Sequence, residues 1–247
     1  MNYLLKIAGS VLASLCLVFL LQSPVFSQSP GDPSNLLVIS DAETPIRNAN
    51  DLKKEVREER IIYGEMTDSR GGIPKRYKTM TIVLSAQSGN EIKKTWMAEN
   101  LDYEMPGSYY YENNSNYAGD YGRLYTFDAA KQACPQGWHL PTHDDWMLLA
   151  HKFGGKRFAG GFLKVGGLSE FEAQFGGRMY KEDDFKSIGK YGSYWGVAGL
   201  DSQTPVEYEF GATNSLIVIS NIRNITEYEN VIQPGIANSC RCVKDEE

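Results

Sequence analysis

Positive charge is in short supply in this chain. Its 247 residues hold 25 Lys and Arg against 31 Asp and Glu, a formal net charge of −6 at pH 7. Nucleic acids and anionic membrane surfaces both select basic patches, so neither is expected as a partner. Histidine is scarcer still, with three residues. No G-x-S-x-G, H-E-x-x-H or P-loop motif occurs, so no familiar nucleophile, zinc or phosphate signature is written here. Glycosidase carboxylates escape such a search, because only their separation in space identifies them. Tandem repeats are absent. So is an uninterrupted apolar run of about 20 residues, the length that crosses hydrocarbon. The longest candidate, Ile7 to Leu21, is broken by Gly9, Ser10 and Ser14 and stopped by Gln22, Ser23 and Pro24.

That short run reads as the core of a signal peptide spanning residues 1–27. Lys6 supplies the positive n-region, and Val25-Phe26-Ser27 places cleavage before Gln28. Cys16 lies within the apolar core behind Ala13-Ser14-Leu15, whereas a lipoprotein signal wants a small residue directly before its cysteine. The expected destination is the periplasm, the cell surface or the medium, with no transmembrane segment in the mature chain. Loss of Lys6 takes the charge from −6 to −7 (−6 − 1). Of four cysteines, Cys134, Cys240 and Cys242 remain, in a compartment that permits disulfides. Three is odd, so at most one bridge forms and one thiol is left.

About 220 residues then remain, the size of one domain with a linker. An apolar content of 42%, with 12% aromatics, suffices for a packed core. Residues 28–60 read as a linker or tether, ending in the charged stretch Asp51 to Arg60, at most a short solvated helix. The globular part begins near Ile61 and runs to residue 247. Tyr77 to Ser85 is rich in β-branched residues and reads as a strand; Ser88-Gly89-Asn90 turns it into a second strand, Lys94 to Met97. Asn100 to Asp120 is a loop full of Tyr, Asn and Gly. A first helix, Phe127 to Ala133, is capped by Thr126 and stopped by Pro135 and Gly137. A second starts at the cap Thr142, with Asp145 three residues on, and places Trp146, Leu149 and Phe153 on one face. Gly154 to Ser193 reads as Gly-rich and irregular, and Leu216 to Asn221 and Ser239 to Val243 as late strands. The order of elements gives an α+β fold: two short helices packed on a twisted antiparallel sheet with long irregular loops.

Candidate sites each meet a structural alternative. Tyr109, Tyr110, Tyr111 and Tyr117 could stack on sugar rings while Asn113 and Asn116 supply hydrogen bonds, a binding platform; equally, the rings could pack over the sheet and hold a long loop. A disulfide from Cys134 could close on Cys242 or on Cys240, which sit two apart on the presumed strand and so point to one face. Using both closing cysteines as a redox or copper site is the functional alternative. His139, His143, Asp144 and Asp145 resemble a metal cluster, but Pro141 and the cap at Thr142 interrupt the helix that would align the histidines, and carboxylates in a first turn already complement the helix dipole. No metal and no cofactor is expected. Trp138, Trp146 and Trp195 are core anchors, the first two sharing contacts with Leu149.

Six blocks in order carry a resemblance: Thr67-Asp68-Ser69-Arg70; Trp96 to Leu101; Tyr121-Gly122-Arg123-Leu124-Tyr125; Ala133-Cys134-Pro135 with Gly137 to Pro141; Phe175-Gly176-Gly177-Arg178; and Cys242-Val243-Lys244-Asp245. Together they resemble the Fibrobacter succinogenes major paralogous domain, a module of secreted bacterial proteins, over about Tyr63 to Asp245. The blocks between Asp201 and Gly235 match poorly. The helical core in turn resembles the C-type-lectin-like fold, whose first-helix cysteine pairs with one on the last strand, which implies Cys134 with Cys242. The lectins' calcium-dependent sugar motifs are missing: Gln233-Pro234-Gly235 lacks the carboxylate that would ligate the ion. His139-Leu140-Pro141-Thr142 with Trp146 is similar to the formylglycine-generating enzymes. Such fold-level likeness fixes no function.

The resulting expectation is a secreted, non-enzymatic binding or surface-display module of the bacterial envelope, with a glycan or protein ligand outside the cytoplasm. An oxidoreductase-like enzyme related to the formylglycine-generating type, using Cys240 and Cys242, is the alternative. A purely structural envelope domain is a third.

Overall fold

The computed structural model describes residues 61–85, 90–200, 202–212, 216–220 and 235–246, of which 216–220 by backbone alone. The expected signal peptide, tether and charged stretch, the turn at Ser88-Gly89 and the Gln233-Pro234 pair lie outside these residues. Three strands open the domain: β1 (Ile61–Asp68), β2 (Lys75–Ser85) and β3 (Glu91–Met97). All pair antiparallel, with Ile61 opposite Ile82 and Met80 opposite Trp96. The sheet is completed by β6 (Trp138–His139) and the closing β13 (Val243–Lys244), in the order β1-β2-β3-β13-β6.

A second sheet runs β11-β10-β9-β7-β12-β5-β4, with β8 beside β7. Its strands are β4 (Ser108–Tyr109), β5 (Leu124–Thr126), β7 (Gly176–Met179), β8 (Phe185–Ile188), β9 (Gly192–Val197), β10 (Pro205–Phe210), β11 (Leu216–Ser220) and β12 (Ala237–Ser239). Four helices accompany the sheets: α1 (Ala118–Tyr121), α2 (Phe127–Ala133), α3 (His143–Lys152) and α4 (Lys156–Leu163). The fold is therefore α+β. Among the described residues no helix is long and apolar enough to cross a membrane.

Local signals explain the helix starts. Thr126 accepts the amide of Ala129, and Thr142 accepts that of Asp145 while the Asp145 carboxylate accepts the Thr142 amide, a full capping box. Gly155, at positive φ, makes no side-chain cap for α4, so that helix has no cap signal in the sequence.

Two aromatic cores flank the second sheet. In the first, Trp146 stacks on Tyr208 at 4.6 Å between ring centroids and tilts against Trp96 at 4.8 Å, with Leu149, Phe153, Phe171 and Phe210 around them. In the second, Trp195 packs with Tyr125, Met97, Leu101, Cys240 and Cys242, and its indole donates to the Tyr125 carbonyl at 2.6 Å. Tyr194, Tyr208 and Phe210 face one core and Trp195 the other, the period-two alternation of a sheet buried on both sides.

Several expectations need correcting. Gly154 to Ser193 is not irregular: it holds α4, β7, β8 and the start of β9. Among the described residues the α-helices number four, not two. The late strand Ser239 to Val243 is split, because Cys240-Arg241-Cys242 carries the chain from the second sheet to the first. There the Leu101 amide donates to Cys240 O and the Met97 amide to Cys242 O. Arg241 is fully buried at this crossing, with its guanidinium donating to Asn100 Oδ1 at 2.9 Å and to the carbonyls of Phe171 and Glu172. Trp146 and Trp195 are core anchors as expected. Trp138 is half-buried and packs on the second core, away from Leu149 in the first.

Candidate functional site

The tyrosine-rich segment leaves the sheet edge at β4 and returns at β5, where Tyr109 pairs with Leu124. Between them the chain makes two 3-10 turns, Tyr111–Asn113 and Ser115–Tyr117, and then α1. Tyr111 is the anchor. Its ring is 5% exposed, at 5.5 Å from the Tyr117 ring and 5.4 Å from Phe185, over Leu124, Met179 and Ala237. Burial pushes its hydroxyl upward in pKa. Glu112 and Asn113 follow in the left-handed region, at φ 52° and 54°, a conformation costly for residues other than glycine unless its surroundings hold it. The holding contacts are Asn113 Nδ2 donating to Asp183 Oδ1 at 2.6 Å and the Asn114 side chain accepting the Asn116 amide at 3.0 Å.

Around this anchor Tyr109, Tyr110, Tyr117 and Tyr121 are half-buried, and Asn113 and Asn116 are exposed. The rings of Tyr117 and Tyr121 lie 6.2 Å apart. The Arg123 guanidinium sits 3.9 Å from the Tyr110 ring centroid and pairs with Asp102 and Glu104 at 3.4 and 3.1 Å. Burial, together with the Asp102 carboxylate, raises the Tyr110 pKa. The expected residues thus do gather, with Tyr111 beneath the face and the others on it. Arg123, Asp183 and Phe185 belong to the same neighbourhood and were missed. Arg123 sits in one of the resemblance blocks, a signal that could have found it; Asp183, 70 residues from Asn113, has no signal in the sequence.

The sulfur chemistry lies elsewhere. Cys134, the C-cap of α2, is bridged to Cys242 with Cα atoms 5.8 Å apart. Cys240 is the free thiol among the described residues, fully buried and pushed up to about 12 by that burial. The three Sγ atoms lie within 4.8 Å of one another. Arg70, ion-paired to Asp68 at 2.7 Å, donates to the carbonyls of Ala133 and Cys134 at 2.8 and 3.3 Å, tying β1 to the end of α2.

The histidines do not converge. His139 lies on β6 with Nδ1 2.6 Å from Asp245 and Nε2 3.1 Å from Asp145. Burial alone would lower its pKa, but the two carboxylates raise it. His143, at the start of α3, contacts the Tyr208 hydroxyl at 2.9 Å through Nδ1. Asp145 is buried, which alone would raise its pKa. Hydrogen bonds from His139 and Thr142 and the charge of Lys94, 3.0 Å away, hold it well below the usual carboxylate range. Lys94 also reaches Glu246 at 2.5 Å, so this cluster fastens the start of α3 to the end of the chain.

The family model described as the Fibrobacter succinogenes major domain matches residues 86–244. The match is narrower than the expected Tyr63 to Asp245: β1, β2 and the Thr67-Asp68-Ser69-Arg70 block precede it. No curated protein and no solved structure matches the chain.

Proposed function

The chain belongs to the Fibrobacter succinogenes major domain family, and from that premise we propose that it is an exported, non-enzymatic binding module that presents residues 109–121 to a glycan outside the cytoplasm. The observation that carries this reading is the anchored tyrosine loop: one buried ring, Tyr111, fixes the segment, while Tyr109, Tyr110 and Tyr117 are half-buried beside the exposed residues Asn113 and Asn116. Half-open phenol rings offer an apolar face with a polar tip, and carboxamides both donate and accept, which suits a ligand made of pyranose faces and hydroxyl edges. A loop already held in place loses little conformational entropy on binding.

Export is supported by the leader in the sequence and by the Cys134–Cys242 bridge, which an oxidising compartment favours. A C-type-lectin-like arrangement is part of this reading, since its hallmark bridge joins the first long helix to the closing segment as Cys134 and Cys242 do here. Binding without turnover is supported by how the reactive groups are engaged. Cys242 is in the bridge, Cys240 is buried with its thiol raised, and His139 is held between two carboxylates. The oxidoreductase alternative needs Cys240 and Cys242 together as free thiols.

The test is retention of the purified mature chain on immobilised polysaccharides and peptidoglycan, beside Tyr110→Ala and Tyr117→Ala proteins shown to be folded by circular dichroism. Retention that falls at least ten-fold in the variants is the expected result. A folded wild-type protein retained on none of them would sink the glycan reading and leave a protein ligand or a purely structural envelope role.

A further inference from the structure

We propose that Arg178, Ser193, Glu207, Glu209 and Asn238 form a second binding site, for a protonated primary amine that carries an oxygen on the neighbouring carbon. All five share one face of the second sheet. Across β9 and β10, Ser193 stands opposite Glu209 and Trp195 opposite Glu207. Arg178 donates to Ser193 Oγ from Nε and Nη2, at 3.2 and 2.9 Å. Through Nη2 it is also ion-paired to Glu207 and, at 3.5 Å, to Glu209. Ala237 meets Met179 and Ser239 meets Tyr194, which puts Asn238 in register with Arg178 and Ser193. Asn238 also stands opposite Tyr125, which packs with Trp195 on that face.

This cluster is incomplete in hydrogen bonds and in charge. Asn238 is fully buried, yet among the described residues neither its carboxamide oxygen nor its nitrogen has a hydrogen-bond partner. A buried carboxamide open in both directions is costly, and native interiors pair such groups. The charge is unbalanced too: one guanidinium faces two carboxylates. Lys186, which with Arg178 flanks the Tyr180 ring, is paired to Asp184 at 3.1 Å. A monocation therefore balances the set, whereas a divalent metal would overshoot it and meet the Arg178 charge. An ammonium group donates three hydrogen bonds and accepts none, so Glu209 and Asn238 Oδ1 can receive it. Asn238 Nδ2 then calls for an oxygen beside the amine. That pattern is a 2-amino alcohol, the unit present in amino sugars and in ethanolamine.

Entry is from the side of Arg178 and Glu209, both half-buried, where the Tyr180 ring is exposed. Ser193, Glu207 and Asn238 are buried and form the floor. The site is separate from the tyrosine loop. Tyr111 packs on Met179, while Arg178 just before it turns to the opposite face and Ser193. It therefore stands or falls independently of the glycan reading, and it gives a use to the Arg178 of the Phe175-Gly176-Gly177-Arg178 block, which that reading leaves idle.

The experiment titrates the folded mature chain by calorimetry with D-glucosamine, N-acetyl-D-glucosamine and ethanolamine, at a pH where both free amines are protonated. Glucosamine is expected to bind at least about ten-fold more tightly than its N-acetyl form, whose nitrogen is capped and uncharged. Glu209→Gln keeps the shape of a half-buried side chain and should weaken glucosamine by a similar factor. Asn238→Leu, which removes the open donor and acceptor, should abolish binding. Folded Tyr110→Ala should bind the amine as the wild type does. Ethanolamine binding as tightly as glucosamine assigns the amino alcohol alone as the recognised unit; weaker ethanolamine binding assigns the sugar ring as well. A folded wild type that takes up neither amine would overturn the proposal and leave Asn238 to a bound water. N-acetylglucosamine binding as tightly as glucosamine, or unchanged binding in Glu209→Gln, would overturn it too. Loss of amine binding in Tyr110→Ala would move the ligand to the tyrosine loop and remove this site.

Discussion

Two regions of this domain treat their polar residues in opposite ways. Around the closing segment, groups able to do chemistry are bound to one another: Cys134 to Cys242, His139 to Asp145 and Asp245, Lys94 to Asp145 and Glu246, Arg241 to three carbonyl or carboxamide oxygens. Around residues 109–121 one ring is buried, Tyr109, Tyr110, Tyr117 and Tyr121 are half-buried, and Asn113, Asn114 and Asn116 are exposed. Residue types that usually signal catalysis are paired with one another here, and the exposed segment is built from residue types that signal nothing by themselves.

The comparison breaks first at the bridge. It spans a sequence separation of 108, and closing a loop of that length is worth about 4–5 kcal/mol in the chain-entropy model. Reduction, or Cys134→Ala, should therefore give the largest loss of stability, read as a drop in the urea midpoint. A loss below about 1 kcal/mol would mean that the crossing is held by Arg241 and the sheets alone.

Next comes Trp146, fully buried between Tyr208 and Trp96. Trp146→Ala should cost about 3–5 kcal/mol through the cavity left behind. Thr142→Ala, which removes one half of the capping box below it, should cost about 1 kcal/mol. A chemical denaturation series on these variants checks the ranking.

The helix-cap cluster also sets a pH window. Asp145 is held below its ordinary value of 3.8, so its contribution is present above that pH and fades as the pH falls toward the folded value. His139 is raised above 6.5, so its contribution is present below 6.5 and is lost as the pH rises through the folded value. Melting temperature should therefore be highest between about pH 4 and 6.5. His139→Gln should flatten the alkaline side and also shrink the acid side, because the His139 hydrogen bond helps to hold Asp145 down. An unchanged alkaline slope in that variant would remove His139 from the account.

What could be read in advance followed from local chemistry. The hairpin strands, α2 and α3 have signals within a few residues: β-branched runs, Thr126 and the Thr142–Asp145 box. The region 154–193 defeated that approach because its glycines looked like loop residues. In β7 and β9 they answer to neighbours distant in sequence. A Cβ on Gly177, at φ +67°, would stand 2.4 Å from the Lys186 carbonyl oxygen, and one on Gly192 would stand 2.1 Å from that of Gln174. Glycine there permits close backbone approach inside a sheet, and only the tertiary structure shows it. The same limit applies to the site. The tyrosines and asparagines were legible as a cluster in sequence, but that Tyr111 faces inward and Asn113 meets Asp183 depends on β8 arriving beside them.

The smallest effect on stability is the sharpest test of the comparison. Asn116 is exposed, and the turn it follows is held through its backbone amide by Asn114, not through its own side chain. Asn116→Ala should therefore leave the denaturation midpoint within about 0.5 kcal/mol of the wild type, as for surface positions away from caps and cores. Tyr111→Ala, by contrast, empties a buried ring and should cost about 3–5 kcal/mol. If the outward face is where a ligand sits, Asn116→Ala loses retention on whichever polysaccharide holds the wild type while its stability is untouched. Loss of binding without loss of stability cannot come from a loop whose only role is to cover the sheet. Retention equal to the wild type would remove Asn116 from the binding face. Retention lost together with stability would return it to the scaffold and erase, at that position, the difference between the two regions.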